Sequence, residues 1–222
     1  MGARNSPARR KAWGLLSRHG LLLVSDADLP SVAGLVAGEP VRGSWWSHPR
    51  SHEIFAVSES LSHHPDVLVA KLLAGKVTFV HRKLWPALLA VALAGSEWQL
   101  RALPAVARTL LRTVTRKGSL ELAAAARGES RSTLPQRQAA RALERRLLLH
   151  SREVHTESGS HARILESWQH WMKRMDIRRP DMTMEAGMSA LEQAVASLSG
   201  TSIGEVRLPW SPARRRSSAE PA

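Results

Sequence analysis

Residues 49–85, PRSHEIFAVSESLSHHPDVLVAKLLAGKVTFVHRKLW, join a helix-like segment to two short strands folded back on each other. In the helical part Ile54, Val57 and Leu61 recur at intervals of three and four, one apolar stripe that Pro65 ends. Beyond it, 67–72 and 77–81 are rich in branched residues on either side of Ala74, Gly75 and Lys76, the composition of a hairpin with a short turn. Residues 134–168, LPQRQAARALERRLLLHSREVHTESGSHARILESW, have the same build. There Gln136, Ala140, Leu143 and Leu147 share one helix face, while Arg137, Arg141 and Arg145 share another. Segments 147–157 and 161–167 flank a Ser-Gly-Ser turn.

Working outward, a short helix fits 10–18 and stops at Gly20, and 21–24 reads as a brief buried strand or a helix extension. Asp28 can cap a helix over 29–37 with Pro30 in its first turn, and 84–94 returns to helix after the first hairpin. Leu103, Val106, Leu110, Leu111 and Val114 make an amphipathic stripe over 103–116 that Gly118 ends. Ser119 can cap a small helix over 120–127, Thr133 the helix after it, and 168–175 is an aromatic helix. The expected fold class is mainly α with short β-hairpins, an α+β chain of tandem winged-helix modules. The boundaries are a flexible basic arm over 1–12, a first module over 13–97, a second over 98–177 and an accessory tail over 178–222, which includes an isolated helix over 184–198.

A net charge of +13 over 222 residues favours a polyanionic partner, although only six of the 32 basic residues are lysines, which tempers the inference. With 43% hydrophobic residues the chain has ample material for folded cores. No run approaches the roughly 20 apolar residues of a membrane span, so no membrane partner is expected. The absence of cysteine excludes disulfides and thiolate metal sites and fits a reducing cytoplasm, nucleoid-associated if the chain is bacterial. Phosphate-binding glycine motifs, a nucleophile elbow and HExxH are missing, and no cofactor is expected.

In a winged helix the helix before the hairpin enters the major groove, and the hairpin, or wing, grips phosphates. On that geometry Arg50, Ser51 and His52 read bases in the first module and Gln136, Arg137 and Arg141 in the second, with Arg145 on the same face as the last two. Lys71, Lys76, Arg82 and Lys83 are the phosphate contacts of the first wing, Arg152 and Arg163 those of the second. Trp45 and Trp46 either stack on bases and wedge a duplex or seal the first helix, and burial of at least one is expected. His48 and His52 are four apart, with His63, His64 and His81 nearby, but their convergence is not readable from sequence, and no metal is assigned. Glu153, His155 and Glu157 alternate along one strand and so project from one face, with His161 across the turn, two carboxylates and two imidazoles of the kind that hold a metal or activate a water.

Three segments carry a family likeness: GSWW at 43–46, AKLLAGKVTFVHRKLWPALL at 70–89, and RALERRLLLHSREVHTESG at 141–159 followed by the aromatic helix. The run from 21 to 171 resembles winged-helix proteins related to the bacterial DNA glycosylases that unhook interstrand crosslinks. The resemblance implies tandem winged helices and, in catalytic members, metal-free excision of damaged bases through a Gln-apolar-Gln or Gln-apolar-Asp motif. The only Gln-x-Gln here is Gln136, Arg137, Gln138, with a charged middle residue, so that motif does not carry over. The expected function is binding of double-stranded DNA in repair or genome maintenance. The alternatives are a DNA glycosylase using Glu153 or Glu157, and a winged-helix module that binds a protein partner.

Overall fold

The computed structural model describes residues 6–122, 134–155, 161–199 and 208–211. The first half runs α1 (Pro7–His19), β1 (Leu21–Leu23), α2 (Val32–Ala37), α3 (Ser51–Ser62), β2 (Val67–Leu73) and β3 (Lys76–His81), then α4 (Trp85–Ala92) and α5 (Glu97–Leu100). The second half runs α6 (Ala105–Lys117), β4 (Ser119–Leu122), α7 (Leu134–Arg145), β5 (His150–His155), β6 (His161–Glu166) and α8 (Trp168–Arg174), and α9 (Met184–Ser199) follows. The chain is mainly helical with two small antiparallel sheets. Their strand orders, β1-β3-β2 and β4-β6-β5, match, with the last strand of each half in the middle.

The layering follows from the period of two in β1. Leu22 enters a core with Leu16, Val36, Ile54, Leu61 and Phe79, while Leu21 and Leu23 enter another with Leu68, Leu72 and Val80. All three leucines are buried because the sheet is covered on both faces, by α1 to α3 on one and by α4, α8 and α9 on the other. The second core also takes Leu147, Trp168 and Trp171 from the second half, so the halves share buried apolar surface. Trp85 meets Trp171 edge-on at 5.3 Å, and each of two buried indoles keeps a hydrogen bond: Trp85 Nε1 donates to the Val80 carbonyl (3.1 Å) and Trp168 Nε1 to that of Leu147 (2.7 Å). A third core, with Leu110, Val114, Leu122, Ala140, Leu143 and Leu165, lies within the second half.

The repeat extends to atomic detail at two glycines. Gly20 ends α1 and Gly118 ends α6, both at φ +83°, each N–H donating at 2.7 Å to the carbonyl four residues back, Leu16 or Val114. Each glycine carbonyl then accepts at 2.9 Å from the chain leaving the central strand, from His81 N in the first half and Ser167 N in the second. A side chain at either place has no room: a Cβ at Gly20 would lie 2.5 Å from Leu84 Cδ1, and one at Gly118 would lie 2.5 Å from His170 Nδ1.

Four expectations change. Residues 7–12 of the basic arm belong to α1, with Ser6 Oγ accepting from Arg9 N at 3.2 Å and Ala12 fully buried, because the apolar stripe continues backward past Arg10. Ser31, not Asp28, caps α2; Asp26 takes the N–H groups of Asp28 (2.9 Å) and Leu29 (3.0 Å) in a turn that delays the helix. Residues 119–122 are strand, pairing Ser119 to Glu166 and Leu122 to Arg163, so ladder pairing with β6 overrides the local helical preference; 123–133, including Thr133, lie outside the described residues. The helix over 184–198 is not isolated: Leu191, Ala194, Val195 and Leu198 are in the shared core, and Gly187 sits so close to α4 that a Cβ would lie 2.6 Å from the Ala87 carbonyl.

Replacing Gly20 or Gly118 by Ala is expected to cost about 1–3 kcal/mol each through the positive φ and the clash. Gly14→Ala, mid-helix with nothing within 4 Å of its Cβ, is the control and should stabilise by about 0.5–1 kcal/mol. Chemical denaturation of the three variants checks this, and equal midpoints would contradict the close approach.

Candidate functional site

The first hairpin does not present free cations. Lys71 Nζ lies 3.1 Å from Glu144 Oε2, Lys76 Nζ 2.6 Å from Asp26 Oδ2, and Arg82 Nη1 2.9 Å from Asp66 Oδ1. Lys83 Nζ donates at 2.7 Å to the carbonyls of Ser17 and Arg18, closing the C-terminal end of α1. Arg50, at the start of α3, bonds Glu53 Oε2 through Nε (3.0 Å) and Nη2 (2.6 Å) and the Val36 carbonyl through Nη1. To reach a phosphate, each of these groups would have to exchange an internal partner for it. Ser51 is half-buried and His52 exposed, on a helix face that also shows Phe55 and Glu59.

The partner of Lys71 explains why that hairpin is held. Glu144, on the buried side of α7, has a side chain only 5% exposed and also accepts from Ser151 Oγ and Arg163 Nη2. Burial works to raise its pKa, but Lys71, Ser151 and Arg163 outweigh it and hold it below the usual carboxylate value. Burial conversely lowers the Lys71 ammonium despite Glu144, with the Arg163 and Arg141 charges pushing the same way. Arg163 is therefore an internal partner and not a free wing cation. The turn of the hairpin rests on the same helix: a Cβ at Gly75 would lie 3.3 Å from Arg145 Nε.

The other face of α7 is open. Gln136, Gln138, Arg141 and Arg145 are exposed, Arg137 is half-buried, and Ala139, Ala140, Leu143 and Glu144 are turned inward. Residues 134, 138, 141 and 145 make one outward row at helical spacing, and its members show no ion pair among the described residues. Of the second hairpin, Arg152 is half-buried with its Nε lacking a hydrogen-bond partner among the described residues, and Glu153 is exposed opposite Arg163. His155 pairs with His161 in the strand register, and Glu157 lies outside the described residues.

Neither Trp45 nor Trp46 is buried, against the expectation of a seal. They stack at 4.0 Å with Trp45 half-buried and Trp46 63% exposed, and Phe55 of α3 stands 5.8 Å from Trp46. The short turn Trp45–Ser47 sets Trp45 against the first-half core as a partly buried ring and leaves Trp46 outward. Of the other tryptophans, Trp85, Trp168 and Trp171 are buried, whereas Trp13 and Trp98 are half-buried. The histidines scatter, His64 packing on Trp13 at 4.0 Å and His48 accepting from Arg50 N at 3.1 Å.

Sequence reading missed a second buried carboxylate. Glu166, 1% exposed at the end of β6, takes Arg174 Nε and Nη2 at 2.9 Å each, with His150 and His170 3.6 Å away. The spacing Glu166 to Arg174, two helical turns across a capping Ser167, was the available signal. Burial would raise the Glu166 pKa; the His150 imidazole and the Arg174 guanidinium outweigh it and bring it down to about 2. Sequence reading found the α6 helix but missed its basic face, where Arg108, Arg112, Arg116 and Lys117 are exposed on a helix without an acid.

Comparison with protein-family models, curated proteins and solved structures finds no match for this chain.

Two outcomes test the buried carboxylates. Because the folded pKa of Glu166 is depressed from 4.5 to about 2, its stabilisation is complete above the ordinary value and is lost as pH falls through about 2. A shift of that size corresponds to about 3 kcal/mol. Glu166→Gln should therefore be less stable at pH 7 and lose less stability than the parent between pH values of about 5 and 2, read by urea midpoints across pH. Glu144→Gln, which leaves Lys71 and Arg163 without their carboxylate, should cost about 3–5 kcal/mol.

Proposed function

We propose that the chain binds double-stranded DNA through the outward face of α7, the two halves acting as winged helices of unequal role. The observation that carries this reading is the contrast in charge pairing. The first-hairpin cations and Arg50 are engaged within the molecule, whereas Arg141 and Arg145 stand exposed on a helix whose one acid points inward. Arginine and glutamine can each form two parallel hydrogen bonds to a base edge, guanine for the first and adenine for the second. Gln138 with Arg141 supplies both on one row, and Arg145 lies a turn further along for phosphate. The likeness to crosslink-unhooking glycosylases supports a role for this binding in repair or genome maintenance.

The exposed Trp45, Trp46 and Phe55 favour a second reading for the first half. Three exposed or half-exposed rings beside a helix whose outward side chains are neutral or acidic suit contact with a partner protein or an unpaired base better than with a phosphate backbone.

Duplex affinity should fall linearly on a log–log plot against salt, and Arg141→Ala with Arg145→Ala should lower the slope by about 0.9 for each phosphate no longer neutralised. Fluorescence anisotropy over a salt series measures it. A slope unmoved by both substitutions, or a flat salt response in the parent, would remove α7 from the interface.

A further inference from the structure

We infer that α6 carries a second polyanion-binding surface, so that one chain bridges two segments of duplex nucleic acid. This rests on the reading of α7 as the first surface. Arg108, Arg112 and Arg116 follow at intervals of four with Lys117 beside them, all exposed, and none has an acidic partner among the described residues. Arg108 Nη1 donates to the Leu103 carbonyl at 2.6 Å and Arg112 Nη2 to Thr109 Oγ1 at 3.3 Å, which orients the two guanidinium groups without neutralising them. Like charges four apart on a helix repel each other and destabilise it. An anionic partner relieves that repulsion. Successive arginines rise by about 6 Å along the helix axis, so the row carries its charge at even spacing. The regular row of cations thus fits a phosphodiester backbone better than the irregular charges of an acidic protein surface.

The placement of α6 separates this row from that of α7. Ala107, Leu110 and Val114 of α6 meet Ala139, Ala140 and Leu143 of α7 in one core. Two helices that bury facing stripes turn their exposed stripes away from each other. A duplex seated on Arg141 and Arg145 therefore leaves the Arg108 to Arg116 row facing solvent, ready for a second segment.

The test is capture of a fluorescent duplex by the full chain bound to an immobilised duplex of different sequence, at low and moderate salt. The parent should capture the second duplex. The triple variant Arg108→Glu, Arg112→Glu, Arg116→Glu should lose capture by about tenfold or more while its affinity for a single duplex falls no more than about threefold. Because charge reversal can disturb a helix, the Gln triple variant is measured beside it and should lose capture in the same direction. Capture unchanged in both variants, or single-duplex affinity lost in parallel with capture, overturns the second surface. A parent that binds one duplex but captures no second one overturns it too, leaving α7 standing, whereas a parent that binds no duplex at all overturns both readings.

Discussion

The carboxylate of Glu144 holds the two halves of this protein in one arrangement. It sits on the inner side of α7, almost without solvent, and receives Lys71 from the first hairpin, Ser151 from β5 and Arg163 from β6. A buried carboxylate without such partners is costly, and so are the two cations without it. The three strands and the helix are therefore fixed together, and the turn at Gly75 comes to rest on Arg145. With the hairpin held in this way, Lys71 has an internal role that a free wing would not give it.

Apolar packing completes the joint. The first sheet has no solvent face: α1 to α3 cover one side, and α4, α9 and the Trp168 and Trp171 rings cover the other. The second sheet follows the same strand order, and equivalent glycines at 20 and 118 turn the chain from first helix into first strand in both halves. What differs is the surface each half retains. The first keeps an aromatic cluster at Trp45, Trp46 and Phe55, and the second keeps two arginine-bearing helices.

The distribution of charge matters more than its sum. Many of the cations that made a first wing plausible have carboxylates or helix carbonyls within hydrogen-bond reach, and in a low-dielectric setting such pairs set both position and protonation. Arg108, Arg112 and Arg116 of α6 and Arg141 and Arg145 of α7 have no carboxylate partner among the described residues, so their fields extend into solvent where a polyanion can sense them. Net charge alone does not separate these two groups.

The sequence by itself determined the local elements wherever a short-range signal was complete. The Ile54, Val57, Leu61 stripe, the Ala74-Gly75 turn between branched runs, the stops at Gly20 and Gly118, and the division of α7 into an apolar and an arginine face all act over a few residues. Tertiary structure decided the features that depend on distant partners. The 119–122 segment became a strand because β6 offered a ladder, α9 docked because Gly187 lets it approach Ala87, and Lys71 turned inward because Glu144 lies 73 positions away in the chain and 3.1 Å away in space. Whether a given arginine or lysine is paired or free is likewise a long-range property, since a carboxylate anywhere in the chain can fold back onto it. That is why the sequence could name candidate cations but only the folded chain could sort the engaged from the exposed.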